Sequence, residues 1–367
     1  MKKEELSSQN TLFDRIAEVI EQSRQYVAKA ANTAMVATYF EIGRYIIEDE
    51  QEGHYRAAYG RGVLKEVSQK LTERFGKGWS VETLTKCRKF YSVYAISSEG
   101  QTKLLARQKA FTVETKFVTE GKSSVPQTNF IPEFLLSWNH YQILMRIENE
   151  EERHFYEIEA KKQNWGYKWL QRQVASSLYE RLALSRDKNE VMRLSQEGQP
   201  IEKPEDIIKN PITLEFLGLK PDTSYSESKL ESAIIDKMQE FLLELGKGFL
   251  FEGRQKRFTF DEDNFYVDLV FYNRILQCYV LIDLKVEKLT HQDLGQMQMY
   301  VNYFDRYVRQ EWEKPTIGIL LCKSKSDALV ELTLPKEANI YAQQYALCLP
   351  DKQLLQHKLQ EWLDELE

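Results

Sequence analysis

The chain is short of cysteine, of long apolar runs and of net charge. Its 367 residues hold four cysteines, Cys87, Cys278, Cys322 and Cys348, all far apart and with no CxxC pair. That spacing speaks against a zinc site and for a reduced, cytoplasmic setting. No segment approaches the roughly 18 apolar residues of a membrane-spanning helix. The start, Met1-Lys-Lys-Glu-Glu, runs into polar sequence instead of a signal peptide's apolar stretch. Neither a membrane nor a nucleotide cofactor is expected as a partner. The net charge of −6 argues against coating nucleic acid by bulk electrostatics.

What is present is globular: 42% apolar and 12% aromatic residues, over a length that allows two domains. Charge is unevenly placed. Arg61–Tyr94 holds eight basic residues against three acids, and Lys161–Arg186 six against one. Such patches either track phosphates or form solvated helix faces.

Apolar residues recur at helical spacing over about 11–95, as in Leu12, Ile16, Val19 and Ile20, and again in Val63, Val67, Leu71 and Phe75. Gly76-Lys-Gly78 interrupts the pattern, and Ser80 is a good N-cap for a helix carrying Val81, Leu84, Cys87, Arg88 and Tyr91. Helix, Gly turn, capped helix is the helix-turn-helix pattern. Residues 97–130 are polar and predict a long flexible excursion. Helical spacing returns from Pro132 to about Leu184, with Trp138, Tyr141, Leu144, Phe155 and Trp165 among the expected core. Residues 186–226 are charged, hold four of the nine prolines and predict a linker with one short helix near Thr213–Leu219.

From 227 the rhythm changes. Ser228 is the expected cap of a helix from Lys229 to about Leu245. Strands are predicted at Phe249–Glu252, Gln255–Phe260, Phe265–Tyr272 and Cys278–Lys285. A helix from His291 to Val308, strands at Thr316–Cys322 and Ile340–Leu349, and a helix at Lys352–Leu366 complete the pattern. The fold class expected is an all-α N-terminal domain (1–185), a linker (186–226) and an α/β C-terminal domain (227–367) with a mixed sheet flanked by helices.

Two of those strands carry ions where apolar side chains belong. Asp268 sits in Asn264–Tyr272, and Asp283 and Lys285 end the run Cys278–Lys285. Charges set into buried strands are costly unless paired or bound to metal. Alternation puts Asp283 and Lys285 on one face, roughly 7 Å apart. A turn near Arg274–Ile275 would bring Asp268 opposite about Leu281, on the same face and a diagonal step from Asp283. A slip of one residue would separate the acids. Two carboxylates so grouped bind Mg²⁺ (or Mn²⁺), and a lysine beside them offsets their repulsion and stabilises charge on a phosphate. The tripeptide acid-x-Lys alone is common here, recurring at Glu114, Glu120, Glu159 and Glu227; only the apolar strand context sets Asp283 apart.

Glu231 near a helix start, and Gln296 with Tyr300 one turn apart on the next helix, are candidates to join this site. Arg254, Gln255, Arg257 and Tyr300 are candidates to touch DNA phosphates. Trp138 and His140 are expected to be structural.

The motifs Leu230-Glu231, Gly253-Arg-Gln255, Tyr266-Val-Asp268-Leu-Val-Phe-Tyr272, Ile282-Asp-Leu-Lys285 and Gly295-Gln-Met297 with Tyr300 resemble those of the YhcG-like (DUF1016-type) bacterial nucleases of the PD-(D/E)xK superfamily. Arg56-Ala-Ala-Tyr-Gly60, Phe75-Gly-Lys-Gly-Trp79, Leu136-Ser-Trp-Asn-His140 and Arg153-His-Phe-Tyr156 extend the resemblance to the N-terminal half. It implies a restriction-endonuclease-like core and a metal-dependent DNA nuclease, endonucleolytic by preference, with Asp268, Asp283, Lys285, Glu231 and Gln296 as site residues. The family more often has Glu where this chain has Asp283. The N-terminal domain resembles a winged or helix-turn-helix module, which would make Thr83, Thr85, Lys86, Arg88 and Lys89 the DNA-reading set. Other readings stay open: a scaffold that keeps the fold without cutting, an RNA substrate, and a homo-oligomer.

Overall fold

A computed structural model describes residues 2–51, 57–95, 134–186, 188–220, 225–260, 262–335 and 337–364. The stretch expected to be a flexible excursion, 97–130, lies outside them. Two compact units emerge, Met1–Arg153 with Ala160–Tyr167, and His154–Glu159 with Lys168–Glu367. No helix among the described residues is long and apolar enough to cross a membrane.

The first unit contains α1 (Lys2–Gln51), α2 (Ala57–Phe75), α3 (Val81–Ala95) and α4 (Trp138–Leu144). Its core gathers Phe40 of α1, Phe90 of α3, Phe134 and Tyr141 of α4, with Phe90 4.9 Å from Phe134 and 5.1 Å from Tyr141, ring centre to ring centre. α3 packs chiefly on α1. A Cβ at Gly43 would collide with the Cys87 carbonyl, so glycine is what lets these two helices touch. The α2–α3 turn matches the sequence pattern: Gly76 and Gly78 take φ of 83° and 122°, and the Thr83 N–H donates to Ser80 Oγ at 3.2 Å. His140 is structural, as expected. Its Nε2 donates to the Trp165 carbonyl at 2.8 Å, which leaves Nδ1 to accept from Ser137 Oγ at 2.7 Å.

After α5 (Glu150–Lys162), the second unit has α6 (Tyr167–Ala175), α7 (Leu178–Ala183), α8 (Lys188–Glu197), β1 (Ile212–Thr213), α9 (Glu227–Asp236) and α10 (Met238–Leu245). Then come β2 (Phe249–Phe260), β3 (Asp263–Asn273), β4 (Cys278–Lys288), α11 (His291–Tyr303), β5 (Ile317–Ser324), α12 (Asp327–Thr333), β6 (Ile340–Ala346) and α13 (Lys352–Asp364). The sheet order is β1-β6-β5-β4-β3-β2, antiparallel from β2 to β4 and parallel from β4 to β1. Leu269, Phe271, Val280, Ile282 and Leu284 face Leu230 and Ile234 of α9 and Phe241 of α10. Val270, Leu281 and Leu320 face Leu294, Met297 and Val301 of α11. Burial on both sides explains why β4 and β5 read as unbroken apolar runs. The expected mixed α/β sheet is present.

Several boundaries differ from expectation. The N-cap is Ser226, whose hydroxyl accepts from Lys229 N–H at 3.2 Å, so the helix starts at Glu227, two residues before the expected Lys229. It also breaks at Lys237 into α9 and α10. The two strands expected around Gly253 are one, β2, with a bulge between Phe251 and Gly253. The expected linker 186–226 is largely folded. It carries α8 and β1, Ile212 and Thr213 pair with Tyr345 and Ala346 of β6, and Ile207, Ile212 and Leu214 enter the sheet's core. Pro204 opens a short 3₁₀ turn there, so proline marks a turn and not a flexible tether.

In the basic stretch 161–186, Lys161, Lys162 and Lys168 are exposed, but the three arginines are turned onto acids. Arg181 Nη1 donates to Glu244 Oε1 at 2.5 Å, Arg172 contacts both Glu244 (3.1 Å) and Glu215 (2.9 Å), and Arg186 lies 3.5 Å from Asp206. Lys209 donates to the Glu244 carbonyl, and Thr213 N–H to its carboxylate at 3.0 Å. Glu244 is fully buried. Burial pushes its pKa up, but Arg181, Lys209 and Arg172 outweigh that and hold it down to about 2, against an ordinary 4.5. A carboxylate depressed on folding contributes stability above its unfolded pKa and loses it as pH falls through the folded one. Glu244→Gln should therefore cost about 3–5 kcal/mol at neutral pH, and the variant should lose less stability than the parent between pH 4.5 and about 2. Urea denaturation across that range checks both.

Candidate active site

The site lies where β3 and β4 part. Their ladder runs from Asn273↔Cys278 to Leu269↔Ile282, so Asp268 falls level with Asp283, two residues from the expected Leu281. The turn is longer than Arg274–Ile275. Asn273 Oδ1 accepts from Ile275 and Leu276 N–H at 3.0 and 3.1 Å, and Gln277 closes it with φ of 56°. A shift of two keeps side-chain parity, so the expected face survives the wrong turn. In place of the next ladder bond, Leu284 N–H donates to Asp268 Oδ2 at 2.8 Å.

Asp283 is buried, 4% exposed, and Lys285 Nζ lies 2.8 Å from its Oδ2. Lys285 is the charged partner of this buried oxygen, and among the described residues nothing else donates to it. Burial first, then the Asp268 charge, push the Asp283 carboxyl up to about 7, with Lys285 opposing. Burial works against the Lys285 cation, but Asp283, Glu227 and Asp293 raise its pKa on balance. Tyr300 of α11 is pushed up to about 12 by burial and by Asp283 and Asp268, and hydrogen-bonds Gln296. Both α11 candidates therefore belong to this cluster.

Glu231 reaches it indirectly. Gln255 Nε2 donates to Glu231 Oε2 at 2.8 Å and to Asp268 Oδ1 at 2.9 Å, using both amide hydrogens. The Gln255 backbone has φ of 46°, unusual for a residue with a side chain, and Arg254↔Leu269 and Lys256↔Val267 are ladder partners on either side of it. Arg254 Nε donates to Glu231 Oε1 at 2.9 Å. Arg254 and Gln255 are thus turned onto carboxylates. Arg257 bonds Asn264 Oδ1 at 2.9 Å from an exposed position.

Two residues were missed. Glu227, the first residue of α9, lies 4.0 Å from Lys285 Nζ, and burial raises its pKa. Asp293 lies 3.7 Å from the same nitrogen and accepts from Thr290 N–H at 2.8 Å in a capping box. The caps were the available signal, since Ser226 and Thr290 each put an acid in a first helical turn. In the first unit, Lys86 pairs with Glu82 (2.7 Å) and Arg88 with Glu50 (2.8 Å), whereas Thr85 and Lys89 are exposed and Thr83 is half-buried.

Among the described residues no three or more His, Cys, Asp or Glu side chains are grouped as a metal cage. Mg²⁺ does not require one, because it is commonly held by one or two carboxylates with water completing the octahedron. The buried Asp283 carboxylate and the spare lone pairs of Asp268 fit that demand.

Known proteins share this organisation. Residues 205–360 match the YhcG PDDEXK nuclease domain and residues 15–181 the DUF1016 N-terminal domain. The Escherichia coli (strain K12) protein named "Putative nuclease YhcG" is 36% identical over 349 residues, 95% of this chain and 92% of its own length. A repair endonuclease from Pyrococcus abyssi and an EndoMS–dsDNA complex each share 19% identity over 36% of this chain, at a TM-score of 0.24. The chain spans about half the length of these two, and the likeness to them is slight.

If Gln255 transmits Glu231 to Asp268, removing either should lower Mn²⁺ affinity by about 10–100-fold. Gln255→Ala with Glu231→Gln should then cost no more than one alone. Calorimetric titration of the two single variants and the double measures this, and additive losses would show that Glu231 acts independently.

Proposed function

Because the chain belongs to the YhcG family of PDDEXK nucleases, we propose that it hydrolyses phosphodiester bonds in DNA, endonucleolytically, at the cluster of Asp268, Asp283 and Lys285. The observation that carries this reading is the buried Asp283 carboxylate, paired with Lys285 at 2.8 Å and set beside the second carboxylate of Asp268. Burying one acid beside another costs stability, and a site that accepts that cost is arranged for a cation.

Asp268 and Asp283 hold Mg²⁺ or Mn²⁺. When bound, such an ion offsets charge on the scissile phosphate and lowers the pKa of water. Lys285, in contact with Asp283, Glu227 and Asp293, is a fixed cation. Its work is to orient the attacking water and to neutralise charge that builds on the phosphoryl oxygens. Tyr300 and Gln296, hydrogen-bonded to each other, close the α11 side and exclude bulk water. Arg257 lies on the exposed strand where a backbone phosphate can reach it. The N-terminal unit adds DNA contact through Thr83, Thr85, Lys86, Arg88 and Lys89 of α3. Thr85 and Lys89 are the most accessible of these, and the Ser80 cap and glycine turn support the reading.

Asp268→Asn and Asp283→Asn should each abolish cleavage and the heat of Mn²⁺ binding. Lys285→Ala should bind Mn²⁺ yet cleave roughly 10²–10³-fold more slowly. Unchanged cleavage in two of the three would refute the proposal, and Mn²⁺ binding indifferent to both acids would favour an inert scaffold. For the N-terminal contact, Lys89→Ala in the full chain should weaken DNA binding and reduce the salt slope by about one. An unchanged slope in filter-binding titrations would remove Lys89 from the interface.

A further inference from the structure

The N-terminal half of α1 carries an apolar stripe that no described residue of its own unit covers. Leu12, Phe13, Ile16, Val19, Ile20, Tyr26 and Val27 are each 47–75% exposed. At about 100° per residue they fall within roughly 140° of the helix circumference. Asp14, Arg15, Glu18, Glu21 and Lys29 occupy the remainder. α1 meets α3 only farther along, through Val36, Phe40 and Gly43. A helix this amphipathic gains most of its stability from packing its apolar face, and propensity alone leaves it marginal.

We propose that this stripe is a dimer interface, occupied by the same stripe of a second copy running antiparallel. Area is the first argument. At roughly 100 Å² exposed on each of the seven side chains, two copies would hide about 1,400 Å², within the range of specific interfaces. Shape is the second. Large residues crowd the start of the stripe and small ones its end, where Ser23, Ala30, Ala31 and Ala34 lie. A two-fold axis near residues 21 and 22 brings Phe13 level with Ala30 and Ile20 level with Ser23, large beside small, and Ile16 level with Val27. An isologous pair requires self-complementarity of this kind. Charge is the third. Over residues 12–35 there are three acids, Asp14, Glu18 and Glu21, and three bases, Arg15, Arg24 and Lys29. That balance disfavours an anionic lipid surface, which selects helices rich in Lys and Arg.

Light scattering of the full chain at micromolar concentration should give twice the 43.3 kDa chain mass. Ile16→Asp combined with Ile20→Asp should return it to one chain mass without loss of helicity by circular dichroism, both positions being exposed. A monomeric parent chain, or a dimer that survives Ile16→Asp with Ile20→Asp, would overturn the interface.

Discussion

A single hydrogen bond, Leu284 N–H to the Asp268 carboxylate, governs the site. It stands where the β3–β4 ladder would have placed a backbone carbonyl, so the strands part without orphaning that donor. The bond also fixes a negative charge beside a second, buried one. Burial first, and then repulsion from that neighbouring charge, hold the Asp283 proton up to about 7. Lys285 offsets part of that repulsion, and the three acids around it hold it in place. The sheet carries the acids in from two strands, and α9 and α11 close round them with further polar groups.

The chemical heart of this arrangement was legible in the sequence because strand alternation is strict. Asp283 and Lys285 interrupt an apolar run at positions of equal parity, and no fold that buries β4 can separate them. The place of Asp268 was less legible, since it depends on turn length, and that length is set by side-chain acceptance at Asn273. Glu227 escaped notice because two serines compete to cap the same helix. Ser226 captures the Lys229 N–H, and the helix then opens on an acid. Gln255 was read as a phosphate contact, yet its left-handed backbone turns the amide inward between two carboxylates. Nothing in residue order announces a positive φ on glutamine.

Charge composition misled elsewhere, and for a related reason. Arg172, Arg181 and Arg186 read as a solvated or phosphate-seeking patch, but burial depends on distant partners such as Glu244 and Asp206, which composition does not locate. The same partners make 186–226 part of the second unit. An ion network with Glu244 at its centre secures β1 to the end of α10, so proline and charge density there signal turns within a folded layer.

The irregularity of β2 reaches beyond catalysis. β2 is the outermost strand of the sheet, and such a strand offers open N–H and C=O groups to any extended chain that drifts past. The bulge at Phe251–Gly253 and the left-handed kink at Gln255 break that row into short, misaligned segments. A straighter strand would hold its hydrogen-bonding groups in step and invite edge-to-edge stacking into fibrils. The distortion that aims an amide at two carboxylates therefore also guards the molecule against polymerising through its own margin.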